Sequence, residues 1–252
     1  MFMDNIRLYE SEEVIKKYAS NTTRANSLNI PEKIVIDKYL LNPHKILEVG
    51  CGAGRLAVNL YLYGHDVKGI DLSEGLIERA KEKFPGERFP HLVFENDNAV
   101  TLSHQEDASY DTVFFTMNGI DYIENLEDRK SALLSAYRVL KEGGLFIFSS
   151  HNHKASLFSY KEVRSKPITR RVKYLFSGNF FKEQVLEEEN VVGGGVIWKS
   201  SPRYLVHQTE VLGFKFLDFA VDARTRLDSR VSRSFVLSTY VYDYFLYVFR
   251  KV

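Results

Sequence analysis

From residue 45 to residue 150 the chain alternates short apolar runs with stretches in which apolar residues return every three or four positions. The runs at 45–49, 66–70, 91–95, 110–116 and 145–149 have the length and near-continuous hydrophobicity of strands covered on both faces. Between them, 55–63, 73–84 and 128–140 carry the helical period, with Ser73 placed as an N-cap and Glu74 behind it. Such alternation predicts an α/β fold: a mostly parallel sheet, helices on both faces and right-handed crossovers.

Different patterns flank this region. Across 12–41 the apolar positions Val14, Ile15, Tyr18, Ile34, Val35 and Tyr39 keep helical spacing around a polar break at 20–29, and Pro31 opens the second helix. Beyond His151 the regularity stops. Residues 153–200 are longer than an ordinary connection, with helical character at 156–165 and a strand-like stretch at 184–199. Gly193, Gly194 and Gly195 interrupt that stretch and read as a hairpin turn rather than a phosphate loop, because no helix follows. A helix at 202–212 ending at Gly213, a strand at 214–219 and a last strand at 240–249 bring the strand count to seven. The expected organisation is a helical extension and candidate cofactor lid at 1–41, a binding core at 42–150, an inserted substrate cap at 151–200 and a completion of the sheet at 201–252.

Composition narrows the functional classes. With 44% hydrophobic and 27% charged residues in 252, the chain has the makeup of a globular protein with a sizeable core. A net charge of +1 supplies no global field for nucleic acid or anionic membrane, so a small-molecule partner is favoured. Scattered charges near the start and the lack of a long apolar run predict no signal peptide or membrane span. A single cysteine, Cys51, cannot close an internal disulfide, and cytoplasmic residence is the expectation. No metal-ligand set stands out, and oligomeric state is not readable.

The turn after the first strand carries the candidate chemistry. Backbone can approach a ligand closely only where side chains are absent, and a helix start offers unpaired N–H donors. Gly50, Gly52 and Gly54 meet that need in Leu47-Glu48-Val49-Gly50-Cys51-Gly52-Ala53-Gly54. A nicotinamide-binding turn would place its third glycine where Arg55 stands. Asp71, at the end of the second strand, supplies a carboxylate able to accept hydrogens from a ribose diol.

Over residues 45–150, and more weakly over 202–252, these features resemble the class I S-adenosylmethionine-dependent methyltransferase family. The resemblance implies a Rossmann-like seven-stranded sheet of order 3-2-1-4-5-7-6 with the last strand antiparallel. It implies S-adenosyl-L-methionine as cofactor and S-adenosyl-L-homocysteine as product. Gly50, Gly52 and Gly54 would abut the methionine part, with Glu48 before them, Asp71 would hold the ribose, and Leu72 would flank the adenine. Asp97 or Asn98 would meet the adenine amine, while Thr116, Met117 and Asn118 would line the methyl end. The segment Arg138-Val139-Leu140-Lys141-Glu142-Gly143-Gly144 matches the family's turn before the fifth strand.

His151, Asn152 and His153 follow the fifth strand, at the carboxyl edge where open α/β sheets bind ligands. Imidazole exchanges protons near neutral pH, which makes His151 the first candidate for a general base and leaves Asn152 and His153 as substrate contacts. Alternation could also set His151 and His153 on one strand face. Tyr18 and Arg24 stand where a cofactor lid would be. Two basic stretches, Lys161 to Lys173 and Arg224 to Arg233, read as solvated or internally paired surfaces. The expected activity is methyl transfer to an oxygen or nitrogen of a small molecule. RNA or protein modification, a noncatalytic cofactor-binding module and a nicotinamide oxidoreductase are the competing readings.

Overall fold

The computed structural model describes residues 10–20, 27–157, 181–188, 195–222, 234–239 and 242–252, with single positions at 169, 176 and 178. The two basic stretches, Arg24, the tip glycines Gly193 and Gly194, and most of the expected helix at 156–165 lie outside them.

The elements run α1 (Glu12–Ser20), α2 (Ile30–Tyr39), β1 (Lys45–Val49), α3 (Arg55–Leu62), β2 (Asp66–Asp71), α4 (Glu74–Lys83), β3 (Leu92–Asn96) and β4 (Tyr110–Phe115). A 3-10 turn (Gly119–Tyr122) leads into α5 (Leu126–Val139) and β5 (Leu140–His151). A second 3-10 turn (His153–Leu157) precedes β6 (Gln184–Glu188), β7 (Val196–Ser200), α6 (Pro202–Val211), β8 (Phe214–Ala220), α7 (Phe235–Ser238) and β9 (Tyr244–Lys251).

Seven strands form one sheet in the order β3-β2-β1-β4-β5-β9-β8. β1 to β5 pair in parallel, and β9 runs antiparallel to both β5 and β8. Counting only this sheet, the order is 3-2-1-4-5-7-6, as the resemblance implies. β6 and β7, which lie on either side of the glycine triplet in the chain, form a separate antiparallel pair.

Alternate side chains of each strand enter opposite cores, as the pleat requires. Leu47, Val113, Phe115, Phe146 and Phe148 pack under α5 and α6 with Phe214 and Phe249. Ile46, Phe114, Ile147 and Val248 face Val35, Leu56 and Leu60 of α2 and α3. Rings stack along the first face, Phe146 on Phe148 at 5.0 Å and Phe148 on Phe249 at 5.7 Å.

Local chemistry explains the boundaries. Asn125 caps α5 by accepting the Glu127 and Asp128 N–H groups, so this helix starts before the expected 128. The expected turn at 141–144 lies inside β5, where a register shift between Tyr110 and Thr112 and the left-handed Gly143 (φ +76°) absorb the extra residues. The last strand starts at Tyr244 rather than 240. β5 ends at His151 and His153 opens a 3-10 turn, so the two imidazoles do not share a strand face. No helix among the described residues is long and apolar enough to cross a membrane.

Candidate active site

β1 lies between β2 and β4, where the strand order reverses and chain connections leave in opposite directions. The glycine turn sits at this point. Gly50, Gly52 and Gly54 all adopt left-handed φ, at 70°, 54° and 86°. A side chain on Gly54 would meet the Phe94 ring at 2.7 Å, so this glycine serves close packing of the loop on β3. Gly52 has nothing within 4 Å of its missing side chain, which leaves open space beside the loop.

Asp71 ties that loop to the end of β2. One carboxylate oxygen accepts the Gly52 N–H at 2.8 Å and the other accepts the Ser73 N–H at 2.9 Å. Burial pushes its carboxyl pKa up, while these backbone donors oppose the rise. Asn96 braces the same corner by donating to the carbonyls of Asp71 and Leu72, and the Leu72 side chain is exposed beside it. Asp97 is buried and takes donors from Asn98 N, Ser103 Oγ, His104 N and Gln105 Nε2, so it organises the loop after β3. Asn98 is exposed and accepts the Val100 N–H through its side-chain oxygen.

Beneath the loop lies a charged cluster. Glu32 closes a capping box with Asn29 at the start of α2 and also grips Arg55 at the start of α3, with contacts of 2.5 and 2.8 Å. Arg55 also donates to the Ser27 carbonyl at 3.1 Å. The second helix of the N-terminal extension is thereby fixed to the glycine turn. α1 packs on α4, where a side chain on Gly75 would meet Ile15 at 2.6 Å. Glu48 is buried beside the cluster, and its Oε2 has no hydrogen-bond partner. Burial raises its pKa to about 8, against the attraction of Arg55.

A cavity of about 360 Å³ opens between the extension and the sheet edge. Ser27, Asn29, Pro31, Glu32 and Arg55 line one side, and Thr116, Met117, Asn118, Ser149, Tyr244 and Leu246 line the other. Met117 and Asn118 are both left-handed (φ 53° and 59°), a conformation costly for non-glycine residues and typical of working sites. The Asn118 N–H donates to Ser149 Oγ at 2.8 Å.

Next to Asn118 is His151. Its Nε2 lies 3.1 Å from Asn118 Nδ2 and its Nδ1 lies 2.9 Å from Asp121 Oδ2. Asp121 is fully buried and also accepts from Ser150 Oγ and the His151 N–H, both at 2.7 Å. The structure thus brings together Gly50, Gly52, Gly54 and Asp71, and separately Thr116, Met117, Asn118 and His151. Asn152 is buried and engaged elsewhere, donating to the carbonyls of Thr239 and Tyr242. His153 is buried as well, and neither residue lines the cavity. Asp121, Glu32 and Asn29, with Ser27, Ser149, Tyr244 and Leu246 of the cavity lining, are residues that the sequence pattern did not single out. No group of three or more metal-type ligands occurs among the described residues.

The physical fit to the implied cofactor rests on three observations: a carboxylate anchored at the β2 end, open space beside Gly52, and a cavity at the β4 end. Residues 47–148 match the family described as a methyltransferase domain. The ubiquinone biosynthesis O-methyltransferase of Paracidovorax citrulli is 30% identical over 118 residues, covering 47% of this chain and 48% of that protein. The chain spans about half the length of the curated relatives it matches. A SAM-dependent methyltransferase structure from Methanosarcina mazei superposes with TM-score 0.63 at 20% identity, covering 89% of this chain and 99% of that one. The glycopeptide N-methyltransferase MtfA, solved with S-adenosyl-L-methionine, gives TM-score 0.60 at 14% identity, covering 87% and 92%. At such identities the structures speak for the fold, and the domain match adds a similarity confined to residues 47–148. Residues 47–148 are thus similar to a methyltransferase domain, on a fold shared with structures of SAM-dependent methyltransferases.

Proposed function

We propose that this protein transfers a methyl group from S-adenosyl-L-methionine to an oxygen or nitrogen of a small molecule and releases S-adenosyl-L-homocysteine. The observation that carries the reading is the Asp71 carboxylate, held by the Gly52 and Ser73 N–H groups at the mouth of the glycine turn. Bound there, the cofactor supplies a methyl group already activated on a sulfonium. Gly50, Gly52 and Gly54 accept its methionine part, with Glu48 beneath them. Asp71 takes the ribose hydroxyls, and Leu72 covers one face of the adenine. Asn98 is the better partner for the adenine amine, because the Asp97 oxygens are committed to donors of their own loop.

The chain's remaining task is to align the acceptor, exclude water and manage a proton. Thr116, Met117 and Asn118 line the methyl end, and His151 serves as general base. Asn152 and His153 support the acceptor side by fixing the start of the 151–200 segment, which serves as the cap. The extension at 1–41 serves as the cofactor lid through the Glu32–Arg55 clamp, with Tyr18 and Arg24 in the same segment. A small acceptor suits the cavity, which is walled on one side by the extension and on the other by β4, β5 and β9. Residence in the cytoplasm accords with this assignment.

Calorimetric titration with S-adenosyl-L-methionine, S-adenosyl-L-homocysteine and NADH tests the reading, repeated on Asp71→Ala. We expect selective binding of the two sulfur compounds, weakened at least about tenfold by the substitution, as for loss of charge-assisted hydrogen bonds. Binding of NADH alone, or of none of the three, overturns it. Cofactor binding with no transfer to any acceptor class would assign a noncatalytic module instead.

A further inference from the structure

We propose that Asp121 is a positioning residue that fixes His151 as proton acceptor, and that the molecule methylated here presents a hydroxyl group. This inference rests on the methyl-transfer reading above.

The argument starts from what Asp121 can do. An ionised carboxylate only accepts hydrogen bonds. Fully buried in the 3-10 turn after β4, Asp121 directs Oδ1 to the Ser150 hydroxyl at 2.7 Å and, more distantly, to Arg129 Nη2 at 3.4 Å. Its Oδ2 receives the His151 N–H at 2.7 Å and faces the ring Nδ1 at 2.9 Å. The ring must therefore place its proton on Nδ1, which leaves the lone pair of a neutral imidazole on Nε2. That lone pair points at Asn118 Nδ2, 3.1 Å away.

Asn118 lines the cavity and contacts the imidazole, which is not itself among the lining residues. Its backbone is held in the left-handed region and by Ser149 Oγ, while its own Oδ1 is buried without a hydrogen-bond partner. With Oδ1 unpartnered, the Asn118 amide is held at Nε2 by its Nδ2 contact alone, and an entering O–H competes for that one position. The side chain of Asn118 turns aside, and the hydroxyl takes its place on Nε2. The hydroxyl proton passes to Nε2 as the oxygen's electron pair bonds the methyl carbon and the carbon–sulfur pair stays on sulfur. Asp121 neutralises the resulting imidazolium, which later releases its proton to water. A neutral amine attacks through a free lone pair and sheds its proton afterwards, so it has no need of a base held in this way.

Two measurements decide the matter. Long-range proton–nitrogen correlation spectra of the wild-type protein report the His151 tautomer without any acceptor, and the expected form is Nδ1–H. Methyl transfer is then followed on matched phenols and thiophenols, the latter already largely thiolate near neutral pH. In His151→Gln and Asp121→Asn the phenol-to-thiophenol rate ratio should fall at least about 100-fold, the usual scale of a general base, with S-adenosyl-L-methionine affinity retained. An Nε2–H tautomer, acceptance of no phenol, or equal loss on both probes overturns the proposal. Absence of cofactor binding in the wild type would instead strike the methyl-transfer reading, and the tautomer would still be measurable.

Discussion

Replacing Glu48 by Gln should stabilise the protein, and increasingly so as pH rises. Glu48 is buried at 3% exposure with one carboxyl oxygen unpartnered, and the nearby Arg55 is already committed to Glu32. Burial lifts its pKa from 4.5 to about 8, so the folded protein keeps this proton over a range in which the unfolded chain has released it. The unfolded state then binds fewer protons than the folded state, and stability must fall with rising pH. The window runs from about pH 4.5 to about pH 8 and closes above the folded value. At about 1.4 kcal/mol per pH unit the full rise corresponds to ~5 kcal/mol. Local relaxation and water entry reduce such penalties, so about 2–4 kcal/mol is the expected difference. Gln keeps the shape and cannot ionise. Urea denaturation of both proteins between about pH 4 and pH 9 measures it, since other titrating groups cancel in the difference. The two stability curves should coincide near the acid end, diverge through neutrality and run parallel above about pH 8. Curves parallel throughout would refute the reasoning.

Other substitutions test neighbouring claims. Glu32→Gln removes the only carboxylate hydrogen-bonded to Arg55 among the described residues, leaving the Ser27 carbonyl and the nearby Glu48, which should cost about 2–4 kcal/mol in denaturant titration. Gly54→Ala forces a carbon to within 2.7 Å of Phe94 at φ +86° and should cost about 2–3 kcal/mol, read as a lowered melting temperature. Gly52→Ala meets no neighbour within 4 Å, so its stability loss should stay near 1 kcal/mol while calorimetry shows cofactor affinity reduced. Burial holds the His153 imidazole down at about 4, so stability present above about pH 6.5 is lost as pH falls toward that value; His153→Gln should remove about 2–3 kcal/mol of this acid sensitivity. Trp198→Phe deletes the indole donor to the Glu124 carbonyl that ties β7 to the segment before α5, and should cost about 1 kcal/mol by thermal unfolding.

Much of this fold is legible from residue order because its signals are local. Near-continuous apolar runs mark β1 to β5, period-3.6 hydrophobicity marks the helices between them, and Ser73 and Pro31 mark helix starts by their chemistry. The errors occur where tertiary pairing overrides a local signal. Gly143 and Gly144 look like a turn, yet the parallel partner β4 draws residues 140–144 into β5 and converts the turn into a bulge. The juxtaposition of Asp71 with the glycine turn was equally readable, because a glycine turn and a strand-end acid announce themselves by position. Asp97 shows the limit of that logic: a carboxylate in the expected place spends its oxygens on its own loop.

The pairing of His151 with Asp121 was half legible for a reason rooted in topology. His151 is visible at the end of a strand, but its partner stands 30 residues earlier in a turn with no pattern of its own. Parallel pairing joins them. β4 and β5 lie side by side with Phe115 opposite Phe148, so whatever follows each strand emerges at the same edge. An acid just past β4 and a histidine just past β5 are therefore neighbours once the strand order is fixed, although nothing in either segment alone says so. The Glu32–Arg55 pair, 23 residues apart, is a different case, since it joins the starts of α2 and α3, the helices before and after β1. Buried charges need partners, and in a doubly wound sheet the partner of a strand-end residue is best sought after the adjacent strand rather than nearby in the chain.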